Sequence, residues 1–128
     1  MNDAGGSGSG QDWPGDYPPD LTDVLDVIEE HPEWQHTVAS LAEHASLSVR
    51  TLELRFRKYL GTTPSVFLRD TRLDRINEIL ERSSPDDVSL DEVARDLWYS
   101  SYGYLAKLYT QRFGEEPKET LGRACGQR

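Results

Sequence analysis

A chain of 128 residues with 36% hydrophobic content has room for one small domain or two very small halves, beside a tail. Its single cysteine, Cys125, excludes an internal disulfide and fits a reducing compartment, while no apolar run approaches membrane-spanning length. The formal net charge of −9 argues against nucleic acid only until it is located: residues 1–33 hold nine acids and no Lys or Arg, whereas 34–128 balance 14 acids against 14 basic residues.

In chain order, residues 1–19 read as a flexible acidic tail. Met1 to Gly10 is polar and Gly/Ser-rich, unlike a signal peptide, and DWPGDYPPD carries too much Pro and Gly for regular structure. Asp20 is placed to cap a helix in which Leu21, Val24, Leu25 and Ile28 follow the i, i+3, i+4, i+7 pattern, ending before Pro32. Thr37–His44 makes a short helix with Val38, Leu41 and Ala42 inward. Ala45-Ser46-Leu47 turns the chain, and Ser48 caps a longer helix to Leu60. Val49, Leu52, Phe56, Tyr59 and Leu60 form its apolar stripe, opposite Arg50, Glu53, Leu54 and Arg57. Gly61 supplies the stop.

The stretch GTTPSVFLRDTRLDRINEILER follows. Thr63 and Pro64 start a helix, and Val66, Phe67, Leu73, Ile76, Ile79 and Leu80 recur near a 3.6-residue period. From Pro64 to Arg82 it would be a rod of roughly 28 Å. Arg69, Arg72 and Arg75 on it are read as braces through Asp70, Asp74 or Glu78.

Beyond Ser84-Pro85-Asp86-Asp87 the first pattern returns. Leu52, Phe56, Leu60, Gly61 and Pro64 recur 53 positions later as Leu105, Tyr109, Phe113, Gly114 and Pro117, and Ser48 as Ser101. Such repetition marks a duplicated supersecondary unit. Ser89 with Glu92 reads as a capping box before Leu90, Val93, Ala94 and Leu97. Trp98-Tyr99-Ser100 is the turn. Ser101 caps a helix that buries Leu105, Leu108, Tyr109 and Phe113 and leaves Tyr102, Gly103, Ala106 and Lys107 outward. Pro117 opens a last short helix, and residues 123–128 fray.

The fold class is therefore all-α: two helix-turn-helix three-helix units (20–61 and 88–122) joined by a long central helix (63–82), about seven helices in all. The longer helix of each unit is locally basic. Ser48–Tyr59 carries Arg50, Arg55, Arg57 and Lys58 against Glu53 alone, and Ser101–Phe113 carries Lys107 and Arg112 with no acid.

At these residues the chain resembles the DNA-binding domain of AraC/XylS-type transcription regulators over about residues 21–122. The likeness is carried by Leu41-Ala42 and Val93-Ala94, the serine caps, the Gly-x-x-Pro ends Gly61–Pro64 and Gly114–Pro117, and Arg72-Leu73 in the middle helix. It implies two helices entering successive major-groove segments of double-stranded DNA, and a cytoplasmic regulator, an activator by family likeness, that is nucleoid-associated when bound. It also implies a separate sensor or dimerisation domain in longer members. Position then assigns the contacts. Arg50 can fork onto guanine; Glu53 can accept from cytosine or simply pair with Arg57; Leu54, where many relatives place arginine, can meet a thymine methyl or nothing. Ser48, Thr51, Arg57 and Lys58 suit phosphates. Ser101, Tyr102, Gly103, Ala106, Lys107 and Arg112 make the second set, with Lys107 standing where arginine is usual and Trp98 replacing a turn glycine. The first unit is thus expected to specify sequence and the second to anchor.

The rival reading is a helix-turn-helix-derived protein-interaction module that binds RNA polymerase or a sensor domain. Catalysis has no support in the sequence: no phosphate-cradling loop, no nucleophile with a base and no metal-ligand spacing is present, so no cofactor is expected.

Overall fold

The computed structural model describes residues 13–126, with side chains through Arg123. Among these residues lie seven α-helices: α1 Pro19–Glu30, α2 Val38–His44, α3 Val49–Leu60, α4 Pro64–Glu81, α5 Leu90–Asp96, α6 Tyr102–Phe113 and α7 Pro117–Gly126. The readings of Met1–Asp12 as flexible and of Gln127 and Arg128 as frayed fall outside the described residues. α7, however, continues past Gly122 to Gly126, further than the sequence suggests.

The chain divides into two compact units, with the boundary between Thr71 and Arg72, inside α4. The central helix is therefore not a separate linker. Its first half gives Leu68 to one core, and its second half gives Leu73, Ile76 and Leu80 to the other. Serving two cores in succession, α4 holds no single apolar stripe, which is why Leu68 escapes the periodic reading while Val66 and Ile79 stay half-buried.

In the first unit Leu21, Val24, Leu25 and Ile28 of α1 close over Leu41, Ala42, Leu52 and Phe56. Phe56 meets Phe67 edge-on with ring centroids 5.7 Å apart. The second unit packs Val93, Ala94 and Leu97 of α5 against Leu105, Leu108 and Tyr109 of α6, with Leu121 of α7. Here the hydroxyl of Tyr109 joins three elements. It accepts from Asn77 Nδ2 of α4 at 2.9 Å and donates to Thr120 Oγ1 of α7 at 2.8 Å, so the largest buried side chain leaves no polar atom stranded.

Local chemistry sets the helix limits. Ser48, Ser89 and Ser101 cap α3, α5 and α6 by accepting from Thr51, Glu92 and Tyr104 amides. A reciprocal capping box forms at Thr37 and Ser40 of α2, not at Ser89. Asp20 is not a cap either: Pro18 occupies that position, and Asp20 lies in the first turn of α1. The segment before α1 is also more ordered than its composition suggests. Trp13 Nε1 donates to Asp26 Oδ1 at 2.7 Å, and the Tyr17 hydroxyl donates to the Tyr59 carbonyl at 3.1 Å. Both rings rest on the first core.

Each short helix turns into its long partner through the same device. The Leu47 amide reaches back to Ala42 at 2.8 Å and Ser46 to Glu43 at 3.0 Å; Tyr99 reaches Ala94 at 2.9 Å and Trp98 reaches Arg95 at 3.1 Å. This pairing is a Schellman turn, which requires a left-handed residue, usually glycine. Here the left-handed residues are Ser46 (φ 59°) and Trp98 (φ 70°). Glycine fills the role only at the far ends, at Gly61 (φ 68°) and Gly114 (φ 79°). A Cβ added at Gly61 meets nothing within 4 Å, so any substitution penalty there is purely one of backbone conformation. Gly61→Ala should thus lower the stability of the first unit by about 1 kcal/mol, and Ser46→Gly should raise it by a similar amount, read as opposite shifts of the urea midpoint.

Candidate nucleic-acid interface

α3 presents one face to solvent because the opposite one is committed to the core. Leu52 and Phe56 are fully buried, and Arg50, Glu53, Leu54, Arg57 and Lys58 are exposed. Arg50, Leu54 and Arg57 fall within a sector of roughly 60° at 3.6 residues per turn, directly across the helix from the buried pair. Among the described residues no ion pair engages Arg50, Arg57 or Glu53, so the suggested Glu53–Arg57 pair is not formed. Lys58 lies with Nζ 5.2 Å from the centre of the Tyr59 ring. At the start of the helix Ser48 Oγ accepts from the Thr51 amide at 3.0 Å and donates to Thr51 Oγ1 at 2.9 Å. Val49, read as part of the buried stripe, is 39% exposed: it is the first residue of α3, where the unit has no neighbour to cover it.

The fourth cation of α3 has a different task. Arg55 Nε and Nη2 donate to Asp20 Oδ1 and Oδ2 at 3.1 and 3.0 Å, a two-pronged pair that ties α3 to α1. The guanidinium holds the Asp20 carboxyl below its ordinary range, first through these hydrogen bonds and then through charge, against an opposing effect of burial. Sequence alone places Arg55 with the other cations; its partner, 35 residues away, shows only in the fold.

α6 repeats the capped start, with Tyr104 N–H donating to Ser101 Oγ at 3.1 Å. Its outward residues are Gly103, Tyr104 and Lys107, with Thr110 and Gln111 beyond them, and Ala106 is half-buried. Two residues assigned to this surface face elsewhere. Tyr102 packs against the second core with its hydroxyl buried, and burial pushes that hydroxyl above its ordinary pKa. Arg112 donates to both carboxylate oxygens of Asp74 at 2.8 and 3.0 Å and lies 5.8 Å from the Phe113 ring centre, which fastens α6 to α4. Asp74 is consequently not a brace for the arginines of α4, where Arg69 meets Asp70 at 3.4 Å and Arg75 meets Glu78 at 3.7 Å.

Sequence reasoning favours partial core over DNA contact for Tyr102 and Tyr104 alike; Tyr104, at 49% exposed, is no core residue and tilts against Tyr99 at 6.2 Å between centroids. Its place gave no signal, since Tyr104 stands one turn before the buried Leu108 and so beside the apolar stripe. Trp98, also 49% exposed, projects from the turn before α6. Among the described residues no group of His, Cys, Asp and Glu is arranged to hold a metal ion, and no helix is long and apolar enough to cross a membrane.

A short helix, a tight turn and a capped helix with an exposed outer face, present twice on a single chain, define a tandem helix-turn-helix protein. The chain belongs to the helix-turn-helix domain family, whose model matches residues 41–123, and within it to the AraC type. It is 36% identical over 107 residues to a XylDLEGF operon transcriptional activator of Pseudomonas putida, an alignment that covers 84% of this chain and 33% of that protein. The chain thus spans about a third of that relative's length. Among solved structures, an AraC-type transcriptional regulator from Chromobacterium violaceum superposes with a TM-score of 0.75 at 26% identity, covering 83% of this chain and 92% of the other. The DNA-binding domain of AdpA, solved in complex with a target DNA, gives 0.73 at 28% identity, with 85% and 96% covered.

The Asp20–Arg55 pair yields a pH expectation. Because the folded carboxyl titrates below its ordinary 3.8, the stabilisation is complete above that value and is lost as pH falls through the lower, folded one. Asp20→Asn should destabilise the first unit near neutrality and flatten the acid end of its stability profile, as followed by circular dichroism between neutral pH and the acid limb. An unchanged acid limb would leave the pair with no energetic role.

Proposed function

We propose that this chain is the DNA-reading part of a sequence-specific transcription regulator of the activator kind, with α3 and α6 entering two successive major-groove segments. The observation that carries the reading is the outer face of α3, where Arg50 and Arg57 stand exposed without an ion pair among the described residues, while Arg55 of the same helix is tied to Asp20. A chain with excess negative charge that leaves these cations open on one narrow sector presents a local field suited to a polyanion. The names of the Pseudomonas putida relative and the AdpA complex support the same reading.

Roles follow from position on each helix. Arg50 forks onto a guanine edge near the start of α3, and Glu53 beside it accepts from a cytosine amino group. Arg57, Lys58, Thr51 and the Ser48-capped helix start hold phosphates. In the second unit Ser101, Gly103, Ala106 and Lys107 approach the duplex, and Lys107 supplies a point charge without the fork of an arginine. Arg55 and Arg112 are positioning residues: each fixes the flank of its helix and leaves the outer face to the ligand. The first unit therefore selects the sequence and the second anchors. RNA polymerase and a sensor or dimerisation domain are the partners that an activator of this type needs, and the setting is the cytoplasm, on the nucleoid.

Salt dependence tests the proposal. Each phosphate neutralised by a cation releases counterions, so log affinity must fall steeply as log salt rises. Arg57→Ala should weaken all duplexes alike and reduce that slope by about 1, whereas Arg50→Ala should cost about 1–3 kcal/mol on the preferred duplex and relax one base position. A flat salt profile with both variants silent would favour the protein-interaction module instead.

A further inference from the structure

Among the described residues Leu54 is the most exposed of the large hydrophobic ones, at 54%, and it sits between Arg50 and Arg57 along the outer sector of α3. An exposed leucine alone is ordinary. This one occupies the middle of the only strip of α3 that can meet a groove floor, and the rest of that strip is charged. If α3 enters a major groove, Leu54 is pressed against base edges, where it can neither donate nor accept a hydrogen bond. Against the amino groups, N7 or O6 of other bases it would strip water without replacing it, which is unfavourable. The single apolar feature of the major groove is the methyl at C5 of a pyrimidine.

From this we infer that Leu54 reads a 5-methylpyrimidine, so that the first unit accepts thymine and also 5-methylcytosine at one position of its site. This rests on the DNA-reading function proposed above and deepens it. The position follows from the helix. Leu54 lies four residues, roughly 6 Å, beyond Arg50 along α3, which is about two base-pair steps of 3.4 Å. The methyl therefore belongs within two base pairs of the guanine held by Arg50. Leucine makes no hydrogen bond that would tell O4 of thymine from N4 of 5-methylcytosine, so cytosine methylation at that position raises affinity. The unit would thus respond to a covalent mark on its site, a property that an arginine at this place could not confer by apolar contact.

The test uses the full chain on a duplex selected from random sequences. Each thymine near the Arg50-dependent guanine is replaced singly by deoxyuridine, which removes the methyl and nothing else. One replacement should weaken binding about fourfold, the worth of one buried methyl. The loss should be absent in Leu54→Ala. Placing cytosine there should weaken binding, and 5-methylcytosine should recover about fourfold of it. Equal affinity for thymine and deoxyuridine at every position, or a loss that persists in Leu54→Ala, overturns the inference while leaving the DNA-reading function in place. That function fails separately, if no duplex is bound with a steep salt slope. Leu54→Ala keeps the fold, because the side chain it removes is in solvent, and Arg57→Ala on the same duplex confirms that the assay registers a lost contact.

Discussion

A helix of twelve residues does not hold its shape alone in water, so α3 and α6 persist only through the apolar stripe that each buries. Leu52 with Phe56, and Leu105 with Tyr109, are that stripe. The same burial dictates everything the helices can offer outward, because residues on the committed side are removed from contact with any ligand. Each helix is also fixed on its flank by an arginine fork onto an aspartate, Arg55 to Asp20 and Arg112 to Asp74. Packing sets the depth of the helix, and the fork sets its rotation. What remains is a narrow sector whose composition is free to vary.

That freedom has been used differently in the two units. α3 fills its sector with Arg50, Leu54 and Arg57, beside Lys58. α6 fills the corresponding sector with Gly103, Lys107 and Thr110, beside the exposed ring of Tyr104. Two scaffolds built by the same rules thus differ in what they can recognise: the first has forked donors and a methyl-sized apolar spot, and the second has one point charge and aromatic surface. The family likeness describes the scaffold that the two share. The outer sectors belong to this chain.

The scaffold was legible because its signals are local. A 3.6-residue period marks Leu21, Val24, Leu25 and Ile28, a serine precedes each long helix, and a glycine ends it. None of these depends on a distant partner. The misreadings share the opposite cause. Arg50 and Arg55 are the same residue on the same helix, and only Asp20, folded back from α1, distinguishes the exposed cation from the tethered one. Tyr102 and Tyr104 stand two positions apart, and which of them is covered depends on α7. Charge alone groups Arg112 with Lys107, but its guanidinium, still exposed, is engaged by Asp74 on α4. Composition made residues before α1 look like linker, although an indole and a phenol in a Pro-rich segment are enough to anchor it.

That anchoring bears on how the molecule can be divided. Trp13 and Tyr17 fasten the chain to Asp26 of α1 and to the carbonyl of Tyr59 near the end of α3. A cut at Pro19, the natural choice from composition, would strip both rings from the first core and leave part of it open to water. A fragment that keeps both anchors therefore has to include Trp13. Displacing Trp13 and Tyr17 would act on α1 and on the carboxyl end of α3 together, through two side chains.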